Sequence, residues 1–308
     1  MQQQKTKRIL FITLSNIGDA IMTTTVLQAL HNIYPGKMID IVSDKRSCEI
    51  FLNCPYRGDI FIKNKKSFLR GAPELLGKLW SRNYDLIVDL RTDGLAYFLR
   101  GKKILTRWHR HKTGRHSVQQ HLGVIASVNT DNAPPRCHLW ISNDDEQYAR
   151  SVLGELTGKR ILSLGPGANS QKKIWPAENY TGLIEKLAED FTAVVLLGDK
   201  HDAILAKDII TPPGLAVLDL CGRTTILQAA AVLQHTNVFI GNDSGLGHIA
   251  AACGVPTVTL FGPGEPERYR PWSEKSQYVC GAGQDITNVR IEDVINCISM
   301  IGDKRNNT

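Results

Sequence analysis

Residues 238–261 constrain the fold of this chain more than any other stretch. Val238, Phe239 and Ile240 form a short apolar run that reads as a buried strand. Gly241-Asn242-Asp243-Ser244-Gly245 breaks that run. Small and apolar residues from Ile249 to Ala252 read as a helix, closed by Cys253-Gly254-Val255-Pro256. A second strand, Thr257 to Phe261, precedes the turn Gly262-Pro263-Gly264. Strand, polar glycine loop, helix and strand in this order make one unit of a parallel α/β sheet. Such a unit points free backbone N–H groups and the positive end of a helix dipole out of the loop, which favours a phosphate there. An ordinary βα turn capped by Asp or Ser would satisfy the same pattern. A second glycine loop with lysine upstream, and a Gly-Asp loop near the start of the chain, weigh toward the phosphate.

The remaining chain repeats the alternation. Arg8 to Leu14 is apolar nearly throughout and predicts a buried parallel strand. Ser15-Asn16-Ile17-Gly18-Asp19 follows as a loop, and then a helix from Ala20 to Tyr34 that Pro35-Gly36 stops. Met38–Val42, Asp59–Ile62 and Tyr84–Leu90 predict further strands, with helical stretches near 45–53 and 68–82. The stretch 100–121 interrupts this rhythm. It is dense in Lys and Arg, holds four histidines and Trp108, and has no acidic residue. Its histidine spacing fits no compact metal site, and no cysteine or carboxylate accompanies them. It reads as a basic loop that is either simply solvated or grips a phosphorylated or membrane-bound acceptor by charge.

A polar helix from Asn143 to Leu156 marks the boundary, near 145–158, between domains 1–150 and 151–308. The second half runs strand (160–164), glycine loop (165–176), helix (177–190), strand (192–197), loop (198–202), helix (204–210) and strand (216–220). A helix beginning at Gly222-Arg223-Thr224-Thr225 then leads into the opening unit. The last helix, Ile291 to Met300, is free to pack back on the first domain. Two similar α/β halves predict two doubly wound sheets facing across a cleft, with ligands at the carboxyl ends of the strands. Neither glycine loop is G-x-G-x-x-G, and no G-x-x-x-x-G-K-[ST] occurs, which weighs against NAD and P-loop readings.

Composition narrows the class. With 308 residues, 42% hydrophobic and 22% charged, the chain suits two globular domains. Its net charge of +7 is compatible with an acidic substrate or surface. Seven cysteines without a Cys-x-x-Cys suggest reduced thiols in a cytoplasmic protein. The apolar run Ile9–Leu14 is too short for a signal segment, and no stretch is long enough to span a bilayer. Charge alone permits a nucleic-acid partner, but no recognition motif supports one.

Four motifs then resemble one family. They are Leu14-Ser-Asn-Ile-Gly-Asp-Ala-Ile-Met-Thr-Thr24, Gly165-Pro-Gly with Lys173-Ile-Trp-Pro176, Gly241-Asn-Asp-Ser-Gly-Leu-Gly-His-Ile-Ala-Ala251, and Leu260-Phe-Gly-Pro with Glu265-Pro-Glu-Arg268. In order and separation they resemble the bacterial ADP-heptose:lipopolysaccharide heptosyltransferases of glycosyltransferase family 9, over nearly the whole chain. The resemblance implies a GT-B fold of two Rossmann-like domains, with the acceptor on the first and the nucleotide sugar mainly on the second. It also implies inversion at the anomeric carbon with no essential metal and no cofactor beyond the donor, ADP-heptose or another nucleotide sugar.

By the same resemblance, Asp19 is the general base, where the residues alone allow a cap for a helix starting at Ala20. Lys173 neutralises the departing diphosphate, with Lys172 as its neighbouring competitor. Asp243 contacts donor sugar hydroxyls, and Ser244, Gly245, Leu246, Gly247 and His248 cradle the diphosphate, although His248 is equally suited to packing. Gly18 belongs to the donor side. Asp202 matches an acidic residue on the ribose, and Thr224 with Thr225 frames the adenine. Where some relatives carry hydroxyl residues, this chain has Ala168 and Asn169, so phosphate contacts there shift to Ser170 or to backbone N–H groups. Only Cys280 falls near a cysteine cluster found in some relatives, so no metal site is implied. The acceptor is expected to be a phosphorylated glycolipid or glycan of the lipopolysaccharide core, met by Arg107, Arg110, Lys112 and Arg115. Lys63, Lys65, Lys66 and Arg70 would help in peripheral contact with the inner membrane. A nucleotide-sugar epimerase of similar fold and a non-catalytic nucleotide-sugar-binding protein are the alternatives. Turnover without acceptor marks the first, and binding without product marks the second.

Overall fold

The computed structural model describes residues 8–63, 68–111, 114–129 and 133–303. The chain divides into two compact units, Met1–Trp140 and Ile141–Thr308. In the first, β1 (Ile9–Ile12) leads to α1 (Ile17–Ile33), β2 (Ile39–Ser43), β3 (Arg57–Ile62), α2 (Phe68–Trp80), β4 (Tyr84–Asp89), β5 (Gly101–Thr106) and α3 (Ser117–Leu122). The strands pair in parallel in the order β3-β2-β1-β4-β5. β1 and β2 are buried at every position; β1 reads as an unbroken apolar run, whereas β2 also buries Asp40 and Ser43. Leu10, Ile12, Val42 and Ile87 form the core of one face with Leu75 and Leu79 of α2. Strand order reverses between β1 and β4, so the switch point lies outside their carboxyl ends.

Two expectations change here. Helix α1 starts at Ile17, not Ala20, because the Ala20 amide already donates to the Asn16 carbonyl at 2.8 Å. The stretch 100–121 is not a loop throughout. It contains edge strand β5 and helix α3; β5 lacks the apolar run of a central strand because Lys102 and Lys103 sit exposed on the sheet edge.

The second unit opens with α4 (Asn143–Leu153), followed by β6 (Ile161–Gly165), α5 (Ala177–Leu187), β7 (Ala193–Leu196), α6 (Asp202–Lys207) and β8 (Ala216–Asp219). Next come α7 (Ile226–Gln234), β9 (Val238–Asn242), α8 (Gly245–Ala252), β10 (Thr257–Phe261), α9 (Pro266–Tyr269), β11 (Ser276–Cys280) and α10 (Ile291–Asp303). These strands are also parallel, in the order β11-β10-β9-β6-β7-β8. The division at Trp140 precedes the boundary expected at 150, because α4 packs on α7 and so belongs to the second unit. Helix α10 packs on β11, β10 and α5 of its own unit. The core joins Leu162, Leu164, Ile240 and Leu260 of the sheet to Trp175, Tyr180 and Val294. In this sheet the reversal falls between β6 and β9.

All seven cysteines are free thiols, and burial raises the pKa of the Cys137 thiol to about 12. Among the described residues no helix is long and apolar enough to cross a membrane.

Candidate functional site

The loops after β6 and β9 meet at the switch point of the second sheet, and one side chain ties them together. Asn242 ends β9 and is fully buried. Its Nδ2 donates to the Pro166 carbonyl at 2.6 Å, and its Oδ1 accepts from the Trp175 amide and the Tyr180 hydroxyl, each at 3.1 Å. Trp175 is buried and donates its indole N–H to the Val289 carbonyl at 3.1 Å. The glycines allow this close approach. A Cβ on Gly241 would lie 2.9 Å from the Gly165 carbonyl oxygen and 2.7 Å from the Phe239 ring.

On this frame stand the charged groups. Lys173 closes a short 3-10 turn, Gln171–Lys173, and its Nζ meets Asp243 Oδ2 at 2.5 Å. Both side chains are mostly buried, with 25% and 14% exposure. The neighbouring Lys172 is exposed, so burial distinguishes two lysines that the sequence left in competition. Gly262 packs on the Lys172 carbonyl, and Gly264 faces Asp243 Oδ2, which brings the loop after β10 to the same place.

Helix α8 begins beside Asp243. Ser244 is its N-cap residue, yet its side chain makes no capping bond. Its Oγ is buried without a hydrogen-bond partner among the described residues. The amides of Gly245, Leu246 and Gly247 lie in the first turn, where a helix has no internal acceptor for them. His248 is 7% exposed, and this burial places its ring in the packed interior. The N-terminus of α7 is different. Thr225 accepts from the Gln228 amide at 3.2 Å, and Gln228 Oε1 accepts from the Thr225 amide at 3.0 Å. Thr225 is therefore a helix cap, and the neighbouring Thr224 is half-buried.

Asp202 starts α6 and accepts from the Asp199 amide at 2.8 Å. A Cβ on Gly167 would fall 1.9 Å from Asp202 Oδ1, so this carboxylate leans on the glycine loop after β6. Burial raises its pKa above the usual aspartate range. Asn169 and Ser170 are exposed on that loop. A cavity of about 790 Å³ opens on the α5–α6 side and is lined by Trp175, Tyr180, Leu205 and Ile209. Lys173, Asp243 and Ser244 do not line it, so it is separate from the ion pair.

In the first unit Gly18 and Asp19 lie in the first turn of α1, both half-buried. Asp19 Oδ2 accepts from Asn16 Nδ2 at 3.0 Å. Asn16, not Asp19, occupies the N-cap position. Sequence reasoning missed Arg91, which follows β4 and hydrogen-bonds Ser15 Oγ across the switch point. Buried Asp89 holds that segment by accepting from the Arg91 and Thr92 amides at 2.9 and 2.8 Å. No local pattern around Arg91 signals this contact.

The basic stretch does not act as one group. Arg107, Arg110 and Arg115 are exposed, and Arg110 reaches Gln120 Oε1 at 2.9 Å. His109 and His116 accept backbone amides at 3.1 and 3.2 Å as local caps. Lys63 is buried against Asp93 at 2.5 Å, which removes it from the expected surface contact. Lys65, Lys66, Lys112 and the side chain of Arg70 lie outside the described residues.

A Rossmann-like unit with a lysine and an uncapped helix at its switch point is suited to a diphosphate. The profile of glycosyltransferase family 9 (heptosyltransferase) matches residues 78–299. Lipopolysaccharide heptosyltransferase 3 of Escherichia coli is 27% identical, the match covering 83% of this chain and 84% of the relative. Among solved structures, a family 9 glycosyl transferase from Veillonella parvula superposes with a TM-score of 0.85 at 19% identity, covering 96% of this chain and 97% of the other. The ADP-heptose LPS heptosyltransferase II of E. coli gives 0.81 at 20% identity, covering 97% and 99%. Both structures share the fold, two Rossmann-like units of the GT-B class. The two parallel sheets, the four motifs and the extent of these matches lead to one conclusion: the chain is a glycosyltransferase and belongs to family 9, the heptosyltransferases.

Proposed function

We propose that this enzyme transfers a heptosyl group from ADP-heptose to the lipopolysaccharide core or a related surface glycan, in the cytoplasm, with inversion and without a metal or further cofactor. The Lys173–Asp243 pair beside the open start of α8 carries the reading. The named activities of the E. coli relatives supply the sugar and the acceptor class. In this reading the diphosphate lies on the Gly245, Leu246 and Gly247 amides and takes Lys173 as its cation. Asp243, released from Lys173, turns to the hydroxyls of the sugar. Asp202 takes the ribose and Thr224 borders the adenine.

An acceptor hydroxyl attacks the anomeric carbon from the face opposite the diphosphate. The new C–O bond forms as the bond to the β-phosphate oxygen breaks, and that oxygen keeps the electron pair. The hydroxyl proton passes to the Asp19 carboxylate. Lys173 and the helix amides offset the charge gathering on ADP, the role usually given to a metal. Arg107, Arg110 and Arg115 hold the phosphates of the acceptor. The test is transfer by the purified protein from ADP-heptose to core acceptors, read by mass spectrometry. Asp19→Asn should abolish transfer and leave ADP binding and thermal stability intact. Failure of the wild-type protein to transfer heptose to any core acceptor would overturn the proposal. Consumption of ADP-heptose without acceptor would point to an epimerase instead.

A further inference from the structure

Four aromatic side chains stand exposed on the first unit, and all four lie at one edge of its sheet. Trp108 is 81% exposed, Phe98 65%, Tyr97 56% and Trp80 54%. The other large exposed hydrophobics of the described residues are aliphatic or Met and are spread over both units, as is ordinary for a protein surface. The aromatics are linked to one another. The Trp80 indole N–H donates to the Phe98 carbonyl. The Tyr97 hydroxyl lies 3.3 Å from Thr106 Oγ1, and Thr106 caps the turn that carries Trp108.

Cations surround them. The Arg100 guanidinium lies over the Trp80 ring, 5.5 Å from its centre. Lys103, Arg107 and Arg110 are exposed along β5 and the turn after it. From Gly94 to His121 the sequence has no acidic residue. The carboxylate of Asp85, on β4, is held by Lys102 at 2.7 Å.

We propose that this edge is a docking surface for an anionic lipid bilayer. Trp and Tyr favour the boundary between headgroups and acyl chains, where an apolar ring and a polar tip are both accommodated. Lys and Arg beside them are attracted to anionic headgroups. Charge complementarity selects this occupant. A second copy pairing along the open edge of β5 would bring Lys102 and Lys103 against their own counterparts, the usual device by which an edge strand avoids such pairing. Arg107 and Arg110 are shared with the proposed acceptor contact, but vesicles carry neither donor nor glycan acceptor, so binding to them is tested apart from the transferase reaction.

The experiment is flotation of the full-length protein with vesicles of phosphatidylcholine, alone or containing about a third phosphatidylglycerol. Binding is expected to the anionic vesicles only, to weaken with salt, and to shift tryptophan emission to the blue. Each surface cation is worth roughly a fivefold gain on an anionic surface, so replacing Lys103, Arg107 and Arg110 with Gln should weaken binding about a hundredfold. Phe98→Ser with Trp108→Ser should also release the protein. Trp108→Phe should keep binding but lose part of the blue shift, the rest coming from Trp80, which guards against a folding defect in the double variant. Equal binding to neutral vesicles, or undiminished binding by the Gln and Ser variants, would overturn the proposal. So would self-association that the Ser variants abolish, seen with no binding to vesicles.

Discussion

Two helices of the second unit, α7 and α8, begin in opposite ways. Thr225 closes α7 with a reciprocal pair of hydrogen bonds to Gln228. Ser244 leaves α8 uncapped, and its own hydroxyl is buried without a partner among the described residues. Both residues are of types that cap helices well. They differ in position. Thr225 precedes a helix that returns from the far edge of the sheet, whereas Ser244 follows β9 at the switch point. A cap bond foregone costs about 1 kcal/mol. Bringing a diphosphate to the free amides and Lys173 returns more than that, because hydrogen bonds to a charged group are each worth ~1.5–3 kcal/mol. The difference teaches where to look for a ligand: at the helix start whose capping residue does not cap.

The comparison can be broken most forcefully at Lys173. Lys173→Ala should lower kcat by roughly a hundred- to a thousandfold, as loss of one preorganised charge-stabilising group does. ADP affinity should fall by less, as steady-state kinetics beside calorimetry would reveal. Equal losses in both would make Lys173 a ground-state ligand only. Asn242→Ala comes next. It strands the Trp175 amide and the Tyr180 hydroxyl, so folding stability should drop by about 3 kcal/mol in urea unfolding.

The capping residues themselves sharpen the contrast. Thr225→Ala should cost about 1 kcal/mol of stability. Ser244→Ala breaks no hydrogen bond among the described residues and should change stability by less than about 0.5 kcal/mol, while weakening ADP binding about tenfold. Reversal of that pattern would remove the distinction between the two helix starts.

The smallest effect concerns pH at Asp202. Burial raises its pKa above the ordinary 3.8. The fold therefore favours the neutral form, and the stability this group adds is complete below 3.8 and lost as pH rises through the raised value. In the proposed donor site, Asp202 would take the ribose in its charged form. ADP affinity should fall on acidification before an ordinary aspartate would titrate, and Asp202→Asn should flatten that profile in titrations across pH.

The fold was legible where strands are buried on both faces. β1 is an unbroken apolar run, β6, β9 and β10 are apolar apart from small or polar residues such as Ser163, Asn242 and Thr259, and glycine loops follow β1, β6 and β9. Of the four edge strands, β3 and β8 were legible but β5 and β11 were not. Gly101-Lys-Lys and Ser276-Gln-Tyr carry polar residues because β5 and β11 each have one open side. At the site, motif resemblance pointed to Lys173 and Asp243 separately, but no local pattern reveals an ion pair between residues so distant in sequence. The same holds for Asn242 as the tie between two loops, and for Arg91 on Ser15. Thr225 shows the opposite limit: a capping residue looks the same in sequence whether it closes a helix or borders a ligand.

The most direct measurement is thermal unfolding of the protein with saturating ADP or adenosine. A diphosphate seated on the start of α8 and on Lys173 predicts a marked rise in Tm with ADP and little with adenosine, because the phosphates supply most of the binding. Equal shifts from the two ligands would contradict it, since the open helix end and the lysine would then contribute nothing to holding the donor.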